Sequence, residues 1–121
     1  MKETKIHSKS EFYIYVIELD KSILELKKFR EENPDYIQGK PCVYVGYTSK
    51  TPEERFEQHI TGAKNKKGHP IYSKKVKKYG LTLKPRLYKS HNPMETQQDA
   101  MDMEVEKARR LRKRGYGVWQ K

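Results

Sequence analysis

The residue types best suited to chemistry are gathered first in the stretch CVYVGYTSKTPEERFEQHI, residues 42–60. Arg55 and His59 are four apart, so on a helix the guanidinium and the imidazole share one face, with Phe56, Ile60 and Ala63 as the neighbouring apolar stripe. Such a face offers a rigid cationic fork for an anionic oxygen and a ring that can take a proton. A third candidate lies far along the chain. At about 100° per residue, Met101, Val105, Ala108 and Leu111 define the apolar stripe of a C-terminal helix. Glu104 falls inside that stripe, between Ala108 and Leu111, while Asp102 and Glu106 point away. A carboxylate on the buried side of a helix is costly unless a cation or metal accompanies it. Taken singly, an Arg/His pair is ordinarily a solvated face, and such a glutamate ordinarily reaches water or pairs with an arginine. Their interest lies in what the rest of the chain places beside them.

The positioning elements can be read from local signals. Cys42 to Tyr47 is a short apolar strand, followed by the turn Thr48-Ser49-Lys50. Thr51, Pro52 and Glu54 then supply an N-cap, a first-turn proline and the acidic partner of a capping box, so a helix begins at once. Residues 11–19 read as an earlier strand, rich in aromatic and β-branched side chains. Leu19, Ile23 and Leu26 fit one helical stripe that stops at Asn33-Pro34, and a loop over 35–41 leads to the second strand. After the Arg/His helix comes a basic loop with Lys64, Lys66 and Lys67, then a short helix from Pro70 to Tyr79 ended by Gly80. There Tyr72, Val76 and Tyr79 can face inward, leaving Lys74, Lys75, Lys77 and Lys78 outward. Leu81 to Tyr88 alternates as a third strand whose proline suggests an edge position or an early end. The last helix runs from about Met94 or Thr96 to Arg114.

The first strand contains Tyr13-Ile14-Tyr15 and the second Tyr44-Val45-Gly46. These two tripeptides, followed by a helix carrying Arg55 and His59 and by a late Glu104, resemble the GIY-YIG nuclease superfamily. In the first tripeptide tyrosine stands in the glycine place, a position that varies in the family while its tyrosine is kept. The resemblance extends from Phe12 to about Trp119 and implies a mixed α/β domain over residues 1–121. Its core would be a small three-stranded antiparallel sheet flanked by helices. Where the family has a plain hairpin between the tripeptides, residues 20–40 look like an inserted helix and loop that would cover the sheet edge, contact substrate or block it. Some members also use an asparagine near the end of the domain, and Gly115 to Gln120 contains none.

The resemblance implies Tyr15, Tyr44, Arg55, His59 and Glu104 as catalytic residues, with Glu104 the ligand of Mg²⁺ or Mn²⁺. Phosphodiester hydrolysis needs a nucleophilic water, charge neutralisation on the phosphate and help for the departing oxygen. Arg55 would hold a phosphate oxygen, and Tyr44 would position water or phosphate. Tyr15 would act as the base, activated by His59 accepting its proton or by nearby cations. Gly46 reads as a backbone requirement that lets the chain approach closely. With nine tyrosines in the chain, ordinary sheet packing is the bland account of both phenols.

Composition favours the same class of partner. The chain carries a net charge of +11 over 121 residues, which suits a polyanion, nucleic acid before an anionic membrane surface. Lys64, Lys66, Lys67, Lys74, Lys75 and Lys78 are candidates for backbone phosphate contacts that give affinity without reading sequence. The single cysteine, Cys42, excludes an intramolecular disulfide. The N-terminal MKETKIHSKS has no apolar leader and no run reaches membrane-spanning length, so the cytoplasm is the expected compartment. The expected function is metal-dependent cleavage of nucleic acid, DNA before RNA. A nucleic-acid-binding module of the same fold without turnover, or a protein-interaction module docking through residues 20–40, are the alternatives.

Overall fold

Two central strands, β1 (Tyr13–Leu19) and β2 (Cys42–Thr48), pair antiparallel with Tyr15 opposite Gly46 and Ile17 opposite Tyr44. The computed structural model describes residues 11–120, so the N-terminal stretch MKETKIHSKS, expected to lack an apolar leader, lies outside the described residues. β3 (Gly80–Leu83) adds antiparallel to β1, and β4 (Gly117–Gln120) adds parallel to β2, giving the order β3-β1-β2-β4. The sheet is therefore four-stranded and mixed, which corrects the expectation of three antiparallel strands. Both faces of the central pair are covered: Ile14, Val16, Ile17, Val43 and Val45 are fully buried.

Two of the differences have local causes. The third strand ends at Leu83 rather than Tyr88 because the Lys84 N–H makes its bond to Val16 O (2.8 Å) and Pro85 has no N–H to continue the ladder. The chain instead turns through a 3₁₀ segment, Pro85–Leu87. The fourth strand lies in the glycine-punctuated C-terminal stretch and depends on a distant side chain. Asn33 Oδ1 accepts from the Val118 N–H (2.8 Å), and Asn33 Nδ2 donates to Val118 O (3.0 Å) and Phe29 O (2.8 Å). The amide thus pairs with β4 as a neighbouring strand would, and Arg112 Nε donates to the same Oδ1 (3.1 Å). Asn92 does the same for Ile14 on β1, accepting its N–H (2.9 Å) and donating to its carbonyl (2.8 Å).

The expected helical segment from Leu19 to Arg30 is not one helix. Leu19 ends β1, Asp20 caps a 3₁₀ turn over Lys21–Glu25 by accepting from the Ser22 N–H, and Leu26 is extended before α1 (Lys27–Glu32) begins. The spacing of Leu19, Ile23 and Leu26 imitates a helical stripe although the residues belong to three elements. Through Asn33 and the Phe29–Trp119 ring stack (centroids 6.3 Å apart), this insert covers the β4 end of the sheet.

α2 (Pro52–Thr61) begins at the expected capping box: Thr51 Oγ1 accepts from the Glu54 N–H (3.1 Å), and Glu54 Oε1 accepts from the Thr51 N–H (3.0 Å). Gly62 closes it in the left-handed conformation, φ 73°. Thr51→Ala should lower folding stability by about 1 kcal/mol in urea titrations; an unchanged midpoint would mean that the cap does not hold this helix.

α3 (Lys74–Tyr79) starts four residues later than expected, where Ser73 Oγ can accept from the Val76 N–H (3.3 Å). Gly80 is not a left-handed cap but the extended first residue of β3, where an added Cβ would meet Val76 O at 2.5 Å. α4 (Gln97–Lys113), capped by Thr96, buries Ala100, Glu104, Lys107, Ala108 and Leu111. Met101 and Val105, expected in its apolar stripe, are 40 % and 59 % exposed. Two charged residues on the packing side displaced the apparent stripe by one position, yet Glu104 is inside it as expected.

Candidate active site

Tyr15 and Tyr44 point from the same face of β1 and β2 as diagonal neighbours, with ring centroids 6.1 Å apart. What makes room for them is Gly46. A Cβ there would lie 2.7 Å from Tyr15 Oη, 2.8 Å from its Cζ and 3.1 Å from the Tyr44 ring. Its φ is not in the left-handed region. The glycine therefore serves the Tyr15 ring across the strand pair and not the chain conformation, which corrects the backbone reading of this residue.

α2 lays His59 over both phenols, 6.0 Å from the Tyr15 ring and 5.7 Å from the Tyr44 ring. Sequence periodicity puts His59 on an exposed face beside Arg55. In the fold His59 is completely buried and its neighbour Ile60 is 36 % exposed. The helix can turn this polar residue to the sheet because both ring nitrogens are bonded. The Ser73 N–H donates to Nδ1 (2.9 Å), and Nε2 lies 2.9 Å from Tyr15 Oη. A backbone N–H can only donate, so Nδ1 carries the lone pair and Nε2 carries the hydrogen. His59 is then the donor to Tyr15, and the expected route in which it takes the Tyr15 proton is closed in this arrangement. Ser73 is thus part of the candidate site and hidden from the sequence, because its contribution is a main-chain hydrogen.

Arg55 lies one turn earlier on α2 and is half-buried. Its Nη1 donates to Gln58 Oε1 (2.9 Å) and Ile71 O (2.5 Å), which orient the guanidinium. The cation is close enough to both phenols to oppose the rise in their pKa. That rise is large for Tyr15, which burial, followed by the neighbouring Tyr44, pushes well above the ordinary phenol value. Burial also raises Tyr44, with the charge of Glu104 among the contributions. Glu104 itself is buried on α4. The other acids of that helix are engaged elsewhere: Asp102 accepts from Gln98 Nε2, and Arg109 and Arg110 hold Glu106 down to about 2. Tyr15, Tyr44, Arg55 and His59 are brought to one place, and Glu104 is near enough for its charge to act on Tyr44.

Raised phenols make the fold sensitive to alkali. Tyr15 and Tyr44 keep their protons in the folded chain at pH values where the unfolded chain has lost them, and burial pushes Tyr88 up to about 12. Their stabilising effect is complete below the unfolded phenol value of about 10 and is lost as pH rises towards the folded values. Urea midpoints should fall above about pH 10, and less steeply in Tyr15→Phe; the same decline in that variant would contradict the assignment.

Among the described residues no three His, Cys, Asp or Glu side chains form a cluster suited to a metal. One hard carboxylate beside two phenols does not suit zinc, which takes three or four protein ligands. It does suit Mg²⁺ or Mn²⁺, which keep much of their water shell and draw remaining ligands from a phosphate. Lys64, Lys66 and Lys67 are exposed in the loop after α2, and Lys74 follows Ser73 directly. Lys75 places Nζ 5.0 Å from the Trp119 ring, and Lys78 lies 5.3 Å from the Tyr79 ring. No helix among the described residues is long and apolar enough to cross a membrane.

No family model, curated protein or solved structure matches the chain. The site is therefore read from its own geometry.

Proposed function

We propose that this chain is a metal-dependent endonuclease of GIY-YIG type that hydrolyses phosphodiester bonds, with DNA as substrate. The convergence of Tyr15, Tyr44, His59 and Arg55, with the charge of buried Glu104 felt at Tyr44, supports this reading above any other observation. Arg55, oriented by Gln58 and Ile71, grips a non-bridging phosphate oxygen with its remaining donors. His59 fixes the Tyr15 hydroxyl, and the two raised phenols act as neutral hydroxyls that position the attacking water and the phosphate. Burial argues against Tyr15 as a standing base near neutrality. Glu104 would hold Mg²⁺ or Mn²⁺, which when bound supplies charge neutralisation on the phosphate. The candidate lysines and the net charge of +11 favour a polyanionic partner.

One observation favours a second reading. Tyr15 and His59 are completely buried, and Tyr44 is only 3 % exposed. A closed centre of this kind also suits a module that binds nucleic acid without turnover. Purified protein with Mg²⁺ should nick supercoiled plasmid and should stop when the ion is chelated. Salt-sensitive binding with no Mg²⁺-dependent nicking would decide for the binding module, and absence of both would remove the nucleic-acid reading.

A further inference from the structure

At the ends of β1 and β2, where Arg55 reaches from α2, lies an open cleft of about 470 Å³. Its size falls in the range of about 300–1,000 Å³ typical of small-ligand sites. That is room for a nucleotide and not for a duplex. The walls include the rings of Phe12 and Tyr47, the amides of Gln58 and Gln97, and the cations Lys50 and Arg55. Ile14 stands opposite Tyr47, and Phe12 precedes Ile14 by two residues, so the two rings lie on the same face of the sheet. Gln97 Nε2 donates to Tyr47 Oη (3.1 Å), tying α4 to that ring. Gln58 spends its oxygen on Arg55, which leaves its amide hydrogens to a ligand.

A groove that only follows a phosphate backbone needs cations and N–H donors. Rings and carboxamides are the groups that stack on a base and bond its edge, and a base within a duplex presents neither its faces nor its pairing edge. We propose that this cleft receives one unpaired nucleotide, stacked against Phe12 or Tyr47 and bonded by Gln58 and Gln97, with its phosphate at Arg55. The preferred substrate is then a strand with an unpaired or extruded nucleotide at the scissile linkage. This inference rests on the endonuclease reading above, since Arg55 is the residue that joins base cleft to reaction centre.

The test is equilibrium binding by fluorescence anisotropy in chelating buffer, where nothing is cut. The probes are three labelled DNAs of equal length: a perfect duplex, the same duplex with a single-nucleotide bulge, and one strand alone. The bulged and single-stranded probes should bind about tenfold tighter than the perfect duplex. Tyr47→Ala and Phe12→Ala should cut that preference to about threefold or less, while Tyr47→Phe, which keeps the ring, should retain it. Gln97 is exposed on the first turn of α4, so Gln97→Ala provides a variant of low folding risk that should also weaken the preference. Lys78→Ala should weaken all three probes alike. Equal affinity for the three probes, or a preference unchanged in folded Tyr47→Ala and Gln97→Ala, would overturn the cleft assignment and leave nicking by the phenol centre standing. Failure to bind any probe at moderate salt would overturn both.

Discussion

Glu104→Gln should lower Mg²⁺-dependent nicking by about a thousandfold while leaving a folded protein. The substitution keeps the volume and one acceptor oxygen of a side chain buried on α4, and removes the negative charge that a hydrated divalent ion would need. Arg55→Lys should produce a loss of similar order from the other side of the phosphate, because an ammonium cannot reproduce the fork that Gln58 and Ile71 orient. Glu106→Gln is the control. Its carboxylate is occupied by Arg109 and Arg110, so its loss should leave nicking within about twofold of the native rate. The same assays across pH carry a second reading of the phenols. With Tyr15 and Tyr44 both raised, neither should impose a titration on the rate below about pH 10. Native-like nicking in Glu104→Gln would remove the metal role, and in both variants together would remove the active-site assignment.

What the sequence conveys about this molecule depends on whether the relevant partner is near or far along the chain. The capping box at Thr51 and Glu54 needs only three residues of context, and it is present as read. The alternation that makes Tyr13–Leu19 and Cys42–Thr48 strands is equally local, and so is the burial of Glu104. β4 is not legible locally because these four residues become a strand only when β2 lies alongside and the Asn33 amide reaches them. The orientation of α2 is hidden for a similar reason. Periodicity ranks His59 as polar and therefore outward, but a main-chain N–H from Ser73 and the Tyr15 hydroxyl satisfy both nitrogens inside the fold. On α4 the error came from hydrophobicity itself: Met101 and Val105 are apolar and exposed, while Lys107 is charged and buried. His59 in the candidate site and Lys107 on α4 violate the local pattern, and these are the places where local reading fails.

Gly46 allows the sharpest separation of site from scaffold. Gly46→Ala should destabilise the fold by about 3 kcal/mol and strongly reduce nicking, although it adds a single methyl group to a strand. Its Cβ would sit 2.7 Å from Tyr15 Oη and 2.8 Å from Cζ, and a phenol ring has no flexible end to give way. Moving the ring breaks its bond to His59 Nε2 and leaves a donor unpaired in a fully buried place. The backbone itself has no objection, since the glycine's φ is not in the left-handed region. Removal of the ring should therefore reverse the sign. In a Tyr15→Ala background, Gly46→Ala should be neutral or stabilising by up to about 1 kcal/mol, because alanine loses less entropy than glycine on entering a strand. Urea unfolding of the four proteins of this cycle measures the coupling directly. A cost that stays the same with and without the ring would mean that Gly46 answers to the chain, and that the close approach of Tyr15 to β2 does not shape the site.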